Sequence, residues 1–246
     1  KLRLMEAGYV EVIFHAMEQV PDKMLKRSCT RFVMLIAEDE GCRDCMMQFV
    51  PKVIELMQSR DYTTQFTATQ LLYYLSCTKR CRTVIIIQVG SIMRQLDHWM
   101  SVPDEAFNRL ATKLGANLVI DPEAKKEVML LLPIMKTFMS MSKSKDGEVQ
   151  TATASFLSNM SQTTDEGDRA ALVQAGAVWR LKGIERTSRS VLAKQLAGTA
   201  LNTHLIDHVS AIRIQAMYRG RLHRIRANKR AKEMEEREAK EAAAKK

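Results

Sequence analysis

Apolar residues recur at helical spacing along most of the chain. Between Val149 and Met160 they follow one another at steps of three and four residues, which places them on one face of a helix. The stretch from Phe66 to Leu75 has the same spacing. The run from Thr83 to Val89 is rich in Val and Ile and has the local propensity of a strand, but its place in the repeat described next favours a helix. The pattern predicts an all-α protein.

Two phrases recur along the chain with a common period. The first is a small or Gly residue followed by apolar residues that begin a helix, and its copies are anchored at positions 8, 48, 90, 130 and 176. The second ends the preceding helix, is clearest at residues 157–161, and has copies centred on Leu35, Tyr74, Asn117, Asn159 and Asn202. Successive copies lie 39 to 46 residues apart. This period matches that of helical solenoid repeats, which are about 40–47 residues long.

Two stretches carry a resemblance to the armadillo repeat. Residues 174–178, Gln-Ala-Gly-Ala-Val, resemble the start of an armadillo third helix, and residues 148–161 resemble the second helix with its Asn. The resemblance spans roughly residues 1–207 and is strongest between 146 and 205. It implies a right-handed α-solenoid of stacked helices with one concave face. Because Lys1 falls just before a third-helix phrase, we expect the first repeat to be incomplete and the solenoid to continue upstream.

Armadillo proteins bind extended peptides or helices along the concave groove, and a side-chain amide of the family's Asn clamps the peptide backbone. The matching positions in this sequence are Asn117, Asn159 and Asn202, while Leu35 and Tyr74 stand there in the earlier units. An amide can both donate and accept hydrogen bonds, as a backbone clamp requires. The alternative is that these amides cap helix ends or anchor loops.

Import adaptors of this family also carry a Trp one helical turn before the Asn, where it stacks on the stems of Lys side chains. The matching positions here are Lys113, Ser155 and Gly198. Trp99 and Trp179 lie elsewhere in the register. The resemblance therefore argues against a receptor for basic import signals.

Composition and charge narrow the choice of partners. Of the 246 residues 46% are apolar, which excludes wholesale disorder. The formal net charge is +10, but residues 211–246 hold 12 Lys and Arg against 5 Glu, whereas the first 210 residues hold 26 basic against 23 acidic. The nearly neutral body argues against nucleic-acid binding, and the basic tail favours an acidic partner. The longest apolar run, Val128 to Met135, is too short to cross a membrane.

The residues that usually carry chemistry form no convincing site. The chain has neither a Gly-rich phosphate loop nor the paired His of a zinc protease. Five Cys without a secretory signal indicate reduced, intracellular thiols, and the equivalent repeat positions of Cys42 and Cys81 favour core packing over a metal site. His204 and His208 have the spacing of half a metal site, but no further ligands accompany them. We expect neither an enzyme nor a bound cofactor or metal.

The most specific motif lies near the end of the sequence. Residues 214–224 match IQxxxRGxxxR at all five defining positions and resemble the IQ motif, the docking site for calmodulin and calmodulin-like light chains. An apolar stripe surrounded by Arg is suited to an acidic, Met-rich partner groove. The resemblance implies calmodulin contacts from Ile214, Gln215, Tyr218, Arg219, Gly220, Leu222 and Arg224. The alternative is a basic amphipathic helix that lies on a membrane or on an acidic filament.

The sequence thus predicts three segments. Armadillo-like repeats occupy residues 1–207, an IQ helix occupies 208–228, and a charged single helix occupies 229–246. The last two together form one long C-terminal helix. Since the IQ helix begins where the next third helix would begin, we expect Val209 and Ile212 to pack against the last repeat.

The combination predicts a non-enzymatic scaffold that binds proteins along the solenoid. Its IQ helix would dock calmodulin or a calmodulin-like EF-hand protein, in the calcium-free form. Analogy with other proteins of this type favours a cytoplasmic location on the cytoskeleton or on the axoneme of a cilium. The alternative is a transport or signalling adaptor that holds a linear peptide in the armadillo groove. Neither interpretation includes a nucleic-acid partner or a transmembrane segment.

Overall fold

The computed structural model describes residues 1–20, 22–205, 207, 209 and 210. The chain divides into two compact units, Lys1–His204 and Leu205–Lys246. In the second unit the described residues 207, 209 and 210 are helical. The IQ motif, the charged segment after it and Ile212 lie outside the described residues.

The first unit repeats a set of three consecutive helices, which we call short, intermediate and long after their lengths in the first three repeats. The long helices are α3 (Lys23–Ala37), α6 (Tyr62–Ser76), α9 (Glu105–Leu118), α12 (Gly147–Ser161) and α15 (Val191–Thr199), which continues into a π-helical turn at Ala200–His204. The intermediate helices are α2 (Tyr9–Gln19), α5 (Val50–Met57), α8 (Val89–Met100), α11 (Leu132–Ser140) and α14 (Ala177–Thr187). The short helices are α1 (Leu2–Glu6), α4 (Glu40–Arg43), α7 (Lys79–Ile85), α10 (Pro122–Leu130) and α13 (Glu166–Gln174). Single 3-10 turns follow α4, α7 and α11 at Asp44–Phe49, Ile86–Gln88 and Met141–Lys143.

The predicted period and helical class are confirmed, since no strand occurs among the described residues and the long helices begin at residues 23, 62, 105, 147 and 191. The strand-like run from Thr83 to Val89 is helical, as its repeat position indicated. One detail of the prediction is wrong. The two recurring phrases were assigned to consecutive helices, but α13 lies between α12 and α14. Leu172 is the only buried residue of α13, so this helix leaves no apolar stripe in the sequence.

Capping residues set where the helices begin. Asp22, Asp61, Asp104 and Asp146 precede the first four long helices, and each carboxylate accepts hydrogen bonds from backbone N–H groups of the first turn. Ser190 caps α15 in the same way. These caps satisfy donors that the helix itself leaves unpaired, so each long helix starts at a defined residue.

The turn before two of the intermediate helices requires glycine. Gly8 before α2 and Gly176 before α14 have φ of 73° and 102°. This left-handed backbone conformation is costly for residues with a Cβ atom, and it is cheap for glycine. The same two glycines anchor the first recurring phrase of the sequence, so the phrase marks a backbone requirement.

The helices bury a continuous apolar core. Successive long helices pack against one another from α3 to α15, and α5, α8 and α14 each pack against the long helix that follows them. Phe138 of α11 stacks on Phe156 of α12 with 4.3 Å between ring centroids, and neither side chain is exposed. Cys42 and Cys81 are also fully buried, as their equivalent repeat positions suggested. Within the described part of the chain no helix is long and apolar enough to span a membrane.

Candidate functional site: the groove along the long helices

Hydrogen bonds align the starts of neighbouring long helices. Arg27 of α3 donates to both carboxylate oxygens of Asp61, the cap of α6, at 2.6 and 2.9 Å. Arg109 of α9 likewise donates to Asp146, the cap of α12. Thr151 of α12 shares a hydrogen bond of 2.8 Å with Ser190, the cap of α15. Because each bond joins the first turns of one long helix to the cap of the next, the long helices run parallel with their starts along one edge.

These contacts also lower the pKa values of the capping carboxylates. The hydrogen bond from Arg27 is the main reason why the pKa of Asp61 lies far below its ordinary value. A hydrogen bond of 2.7 Å from the Tyr62 hydroxyl lowers the pKa of Asp104. Partial burial opposes ionisation of Asp146, but hydrogen bonds from Arg109 and from the α12 backbone outweigh it, so its pKa is lowered as well. All three caps therefore remain charged at neutral pH.

The predicted clamp residues lie near the opposite ends of the long helices. The Asn117 Nδ2 atom donates to Ser76 Oγ at 3.0 Å, and the Asn159 Nδ2 atom donates to the Ala116 carbonyl at 3.0 Å. Both amides thus anchor the preceding long helix. Their Oδ1 atoms have no donor among the described residues. Asn202 is exposed on the π-helical turn after α15.

A groove of about 730 Å³ runs across the exposed faces of α6, α9, α12 and α15. We call it the long-helix groove. It is lined by Tyr73, Lys113, Ala116, Asn117, Asp146, Gly147, Glu148, Thr151, Ala152, Ser155, Ser190, Leu192 and Leu196. Its depth comes from α12, where Gly147, Thr151 and Ser155 stand at steps of four and fill little space. Ser155 occupies a position where import adaptors of the armadillo family carry a Trp, so the groove is open at that point.

The charges that line this groove are all paired. Lys113 donates to Glu148 at 2.5 Å, and Arg109, just outside the lining, holds Asp146. The remaining lining side chains are hydroxyls, one amide and apolar groups. The groove therefore presents a nearly neutral surface, which favours a polypeptide ligand with apolar side chains over a strongly charged one.

A comparison with protein-family models finds no match to this sequence, and a comparison with curated proteins finds none either. Solved structures do match. A designed armadillo repeat protein in complex with the peptide (KR)4 superposes with a TM-score of 0.70 at 14% identity, covering 82% of this chain and 84% of that one. Armadillo repeat proteins designed computationally for modular peptide recognition give a TM-score of 0.67 at 14% identity, covering 77% and 79%. An engineered protein gives 0.70 at 23% identity, covering 80% of this chain and 48% of that one.

The fold is an armadillo-like α-solenoid. The fold class expected from the sequence is thereby confirmed. At identities between 14% and 23% the likeness concerns the fold alone.

The first long helix of the armadillo-like solenoid exposes two apolar side chains. Leu35, at the position of the family's Asn, is 42% exposed, and Phe32 beside it is 38% exposed. Tyr74 holds the same position in the next repeat, where the Arg43 guanidinium lies 5.8 Å from its ring centroid. These two positions carry an apolar and an aromatic side chain, whereas the equivalent positions 117, 159 and 202 of the later repeats carry amides.

Of the three Asn predicted for the groove only Asn117 lines it, Asn159 and Asn202 lie outside its lining, and most of the groove was missed. Tyr73, Leu192 and Leu196 form its apolar walls, and no motif marks them. The aligning bonds between long helices were also missed, although the caps at 61, 104, 146 and 190 recur with the repeat period and could have indicated them. Groups of three or more His, Cys, Asp or Glu placed to hold a metal do not occur in the part of the chain that the structure describes.

Proposed function

We propose that this protein is a non-enzymatic scaffold that holds an extended segment of a partner protein in the long-helix groove. The observation that carries the proposal is the open groove of about 730 Å³ across four successive repeats. The two carboxylates of the groove, Asp146 and Glu148, are bound by Arg109 and Lys113. The Ser and Thr hydroxyls of the lining therefore have no free carboxylate beside them that could act as a base and activate them as nucleophiles.

The proposed ligand is a peptide in an extended conformation. The Asn117 Oδ1 atom accepts a backbone N–H of the peptide, while the Nδ2 atom of the same amide stays bonded to Ser76. The amide is thus oriented before the ligand arrives, which reduces the entropy lost on binding. An apolar side chain of the peptide enters the depression above Ser155, between Tyr73 and Leu196.

The peptide class differs from that of one of the designed proteins of similar fold. That protein is in complex with (KR)4, a peptide of alternating Lys and Arg. The long-helix groove has no unpaired carboxylate and no Trp to receive such side chains. We therefore propose an apolar anchor residue flanked by neutral residues as the preferred ligand.

We further propose that the IQ segment docks calmodulin or a calmodulin-like EF-hand protein. The support is the sequence: five of five defining positions of the motif are present, and Ile214, Tyr218 and Leu222 stand at steps of four among Arg residues. These modest apolar anchors suit the partly open lobes of a calcium-free partner. A cytoplasmic scaffold on the cytoskeleton or on an axoneme is the role we propose for this combination, by analogy.

A transport or signalling adaptor is the second candidate. The observation that favours it is that the long-helix groove lies entirely within the first unit, Lys1–His204. An adaptor would bind its peptide with the same affinity whether or not calmodulin is bound. The peptide affinity of a scaffold that calmodulin stiffens would change when calmodulin binds. Peptide affinity measured in both states distinguishes the two roles.

The groove is tested by panning a library of random peptides on the full chain. Enriched peptides should carry an apolar anchor, and Ser155→Trp should abolish their binding because the indole fills the depression. The matched control is Lys136→Trp, which adds the same ring at an exposed position of α11 outside the groove. Circular dichroism confirms that both variants fold. Peptides that bind Ser155→Trp as tightly as the native chain would exclude the groove as their site.

The IQ proposal is tested by titration calorimetry of the full chain with calmodulin. Binding should occur with a chelator present and should disappear when Ile214 and Gln215 are both changed to Ala. The double change leaves the groove intact, so peptide binding serves as the control for folding. Binding that requires calcium, or that survives the double change, would contradict the proposal.

A further inference from the structure

A recurring loop precedes three of the long helices. Its first residue is a Ser whose hydroxyl accepts a hydrogen bond from the backbone N–H of the capping residue two positions later. The bonds run from Asp61 to Ser59 at 3.2 Å, from Asp146 to Ser144 at 3.1 Å, and from Ser190 to Ser188 at 3.1 Å.

The middle residue of each of these loops is a cation. The three are Arg60, Lys145 and Arg189, and all are exposed. Because the long helices run parallel with their starts aligned, the loops lie along one edge of the solenoid. Three of the loops therefore place a positive charge along this edge, beside the groove and distinct from it, whereas the loop before α9 has Pro103 at the same position.

Two of the loops enclose a pocket. A recess of about 350 Å³ lies between the loop before α12 and the loop before α15. We call it the edge pocket, and it is lined by Lys143, Ser144, Lys145, Gln150, Thr187 and Arg189.

Gln150 locks the two loops of the edge pocket together. Its Nε2 atom donates to the Ser144 carbonyl at 2.8 Å, and its Oε1 atom accepts from the Ser188 hydroxyl at 2.6 Å. Ser188 is only 3% exposed, so this bridge is shielded from water. The backbone that carries Lys145 and Arg189 is thereby held in place before any ligand binds, which lowers the entropy cost of binding.

The charge of the edge pocket is uncompensated. Lys143, Lys145 and Arg189 form no ion pair with any described residue, and no acidic residue lines the pocket. The cations of the neighbouring groove behave differently, since Lys113 and Arg109 are each paired. Unpaired cations gathered around a recess attract anionic ligands and raise their rate of association.

We propose that the edge pocket binds an acidic linear segment of a partner protein. Neighbouring long helices pack about 8–10 Å apart, and an extended chain advances about 3.3–3.6 Å per residue. About three residues of the segment therefore span the distance from one loop to the next, so its Asp or Glu residues stand about three positions apart.

The probe for the test is a synthetic peptide with Glu at every third position and one photo-crosslinking residue. Its affinity for the full chain is measured by fluorescence anisotropy, and its site is mapped by cross-linking and mass spectrometry. Cross-links should fall on residues 143–145 and 187–189. Affinity should drop by about tenfold when the salt concentration rises from about 50 to about 200 mM.

Charge reversal separates this site from a general effect of net charge. The triple variant Lys143→Glu, Lys145→Glu and Arg189→Glu should weaken binding by about tenfold. The matched control reverses Arg94, Lys126 and Lys136, three exposed cations that form no ion pair with a described residue and lie on other helices. The control should bind as the native chain does. Equal loss in both variants, or cross-links confined to the basic residues 211–246, would overturn the proposal.

Discussion

Gly115 lies in α9 against the ring of Phe138, which in turn stacks on Phe156 with 4.3 Å between centroids. A Cβ atom added at Gly115 would overlap the Phe138 ring. The ring cannot move aside, because Phe138 and Phe156 are both fully buried in the close-packed core. The absence of one methyl group thus allows α9 and α11 to approach each other.

Substitution of Gly115 by Ala should therefore destabilise the protein, even though Ala is the better helix former. Overpacking of this kind costs about 1–3 kcal/mol in the free energy of unfolding. The matched control is Gly183→Ala in α14, where an added Cβ meets no atom within 4 Å. That change should stabilise by about 0.5–1 kcal/mol. Denaturant unfolding of both variants measures the two changes in the free energy of unfolding. If both variants were more stable than the native chain, or both less stable, the contact between Gly115 and Phe138 would not account for the result.

At the scale of the helices, the aligning bonds explain how neighbouring repeats keep their register. Asp61 caps α6 and at the same time receives Arg27 of α3 and Lys23, whose Nζ atom lies 3.0 Å from the carboxylate. The side chain of Asp61 is only 10% exposed, so these contacts are shielded more than an ordinary surface pair. One carboxylate thus starts a helix and fixes it to its neighbour.

The lowered pKa of Asp61 gives the protein a specific dependence on pH. Since the folded pKa lies below the unfolded value of about 3.9, the stabilisation is complete above that pH and is lost as the pH falls further. Asp61→Asn should therefore be less stable than the native chain at pH 7, and the difference should stay constant down to about pH 4 and shrink at lower pH. Urea unfolding at several pH values on both sides of about pH 4 measures this difference. A gap that stays constant below about pH 4 would mean that the charge of Asp61 does not contribute.

The sequence predicted the parts of this fold that repeat and missed those that depend on distant neighbours. Apolar spacing gave the long helices, and Gly8 and Gly176 marked turns that only glycine makes cheaply. The partner of Asn159 is the Ala116 carbonyl, 43 residues away in the sequence, and a backbone group leaves no signature. The depth of the groove arises where small residues of α12 face the larger Tyr73 and Leu196 of other helices. Local patterns do not report such juxtapositions.

At the scale of the whole molecule, the proposed functions fall on separate surfaces. The long-helix groove is nearly neutral and suits an extended peptide, and the edge pocket is basic and suits an acidic segment. Residues 214–224, which we propose as a docking segment for calmodulin, lie in a tail with 12 basic against 5 acidic residues. The proposed scaffold would thus bind several proteins through three surfaces of different chemistry.

Peptide binding in the long-helix groove is tested most sharply by a crystal structure of the full chain with a peptide selected by panning. We expect the peptide to lie extended across α9 and α12, with an apolar side chain over Ser155 between Tyr73 and Leu196. One of its backbone N–H groups should donate to the Asn117 Oδ1 atom. A peptide bound elsewhere on the solenoid, with the groove over Ser155 empty, would show that the groove is not the binding site.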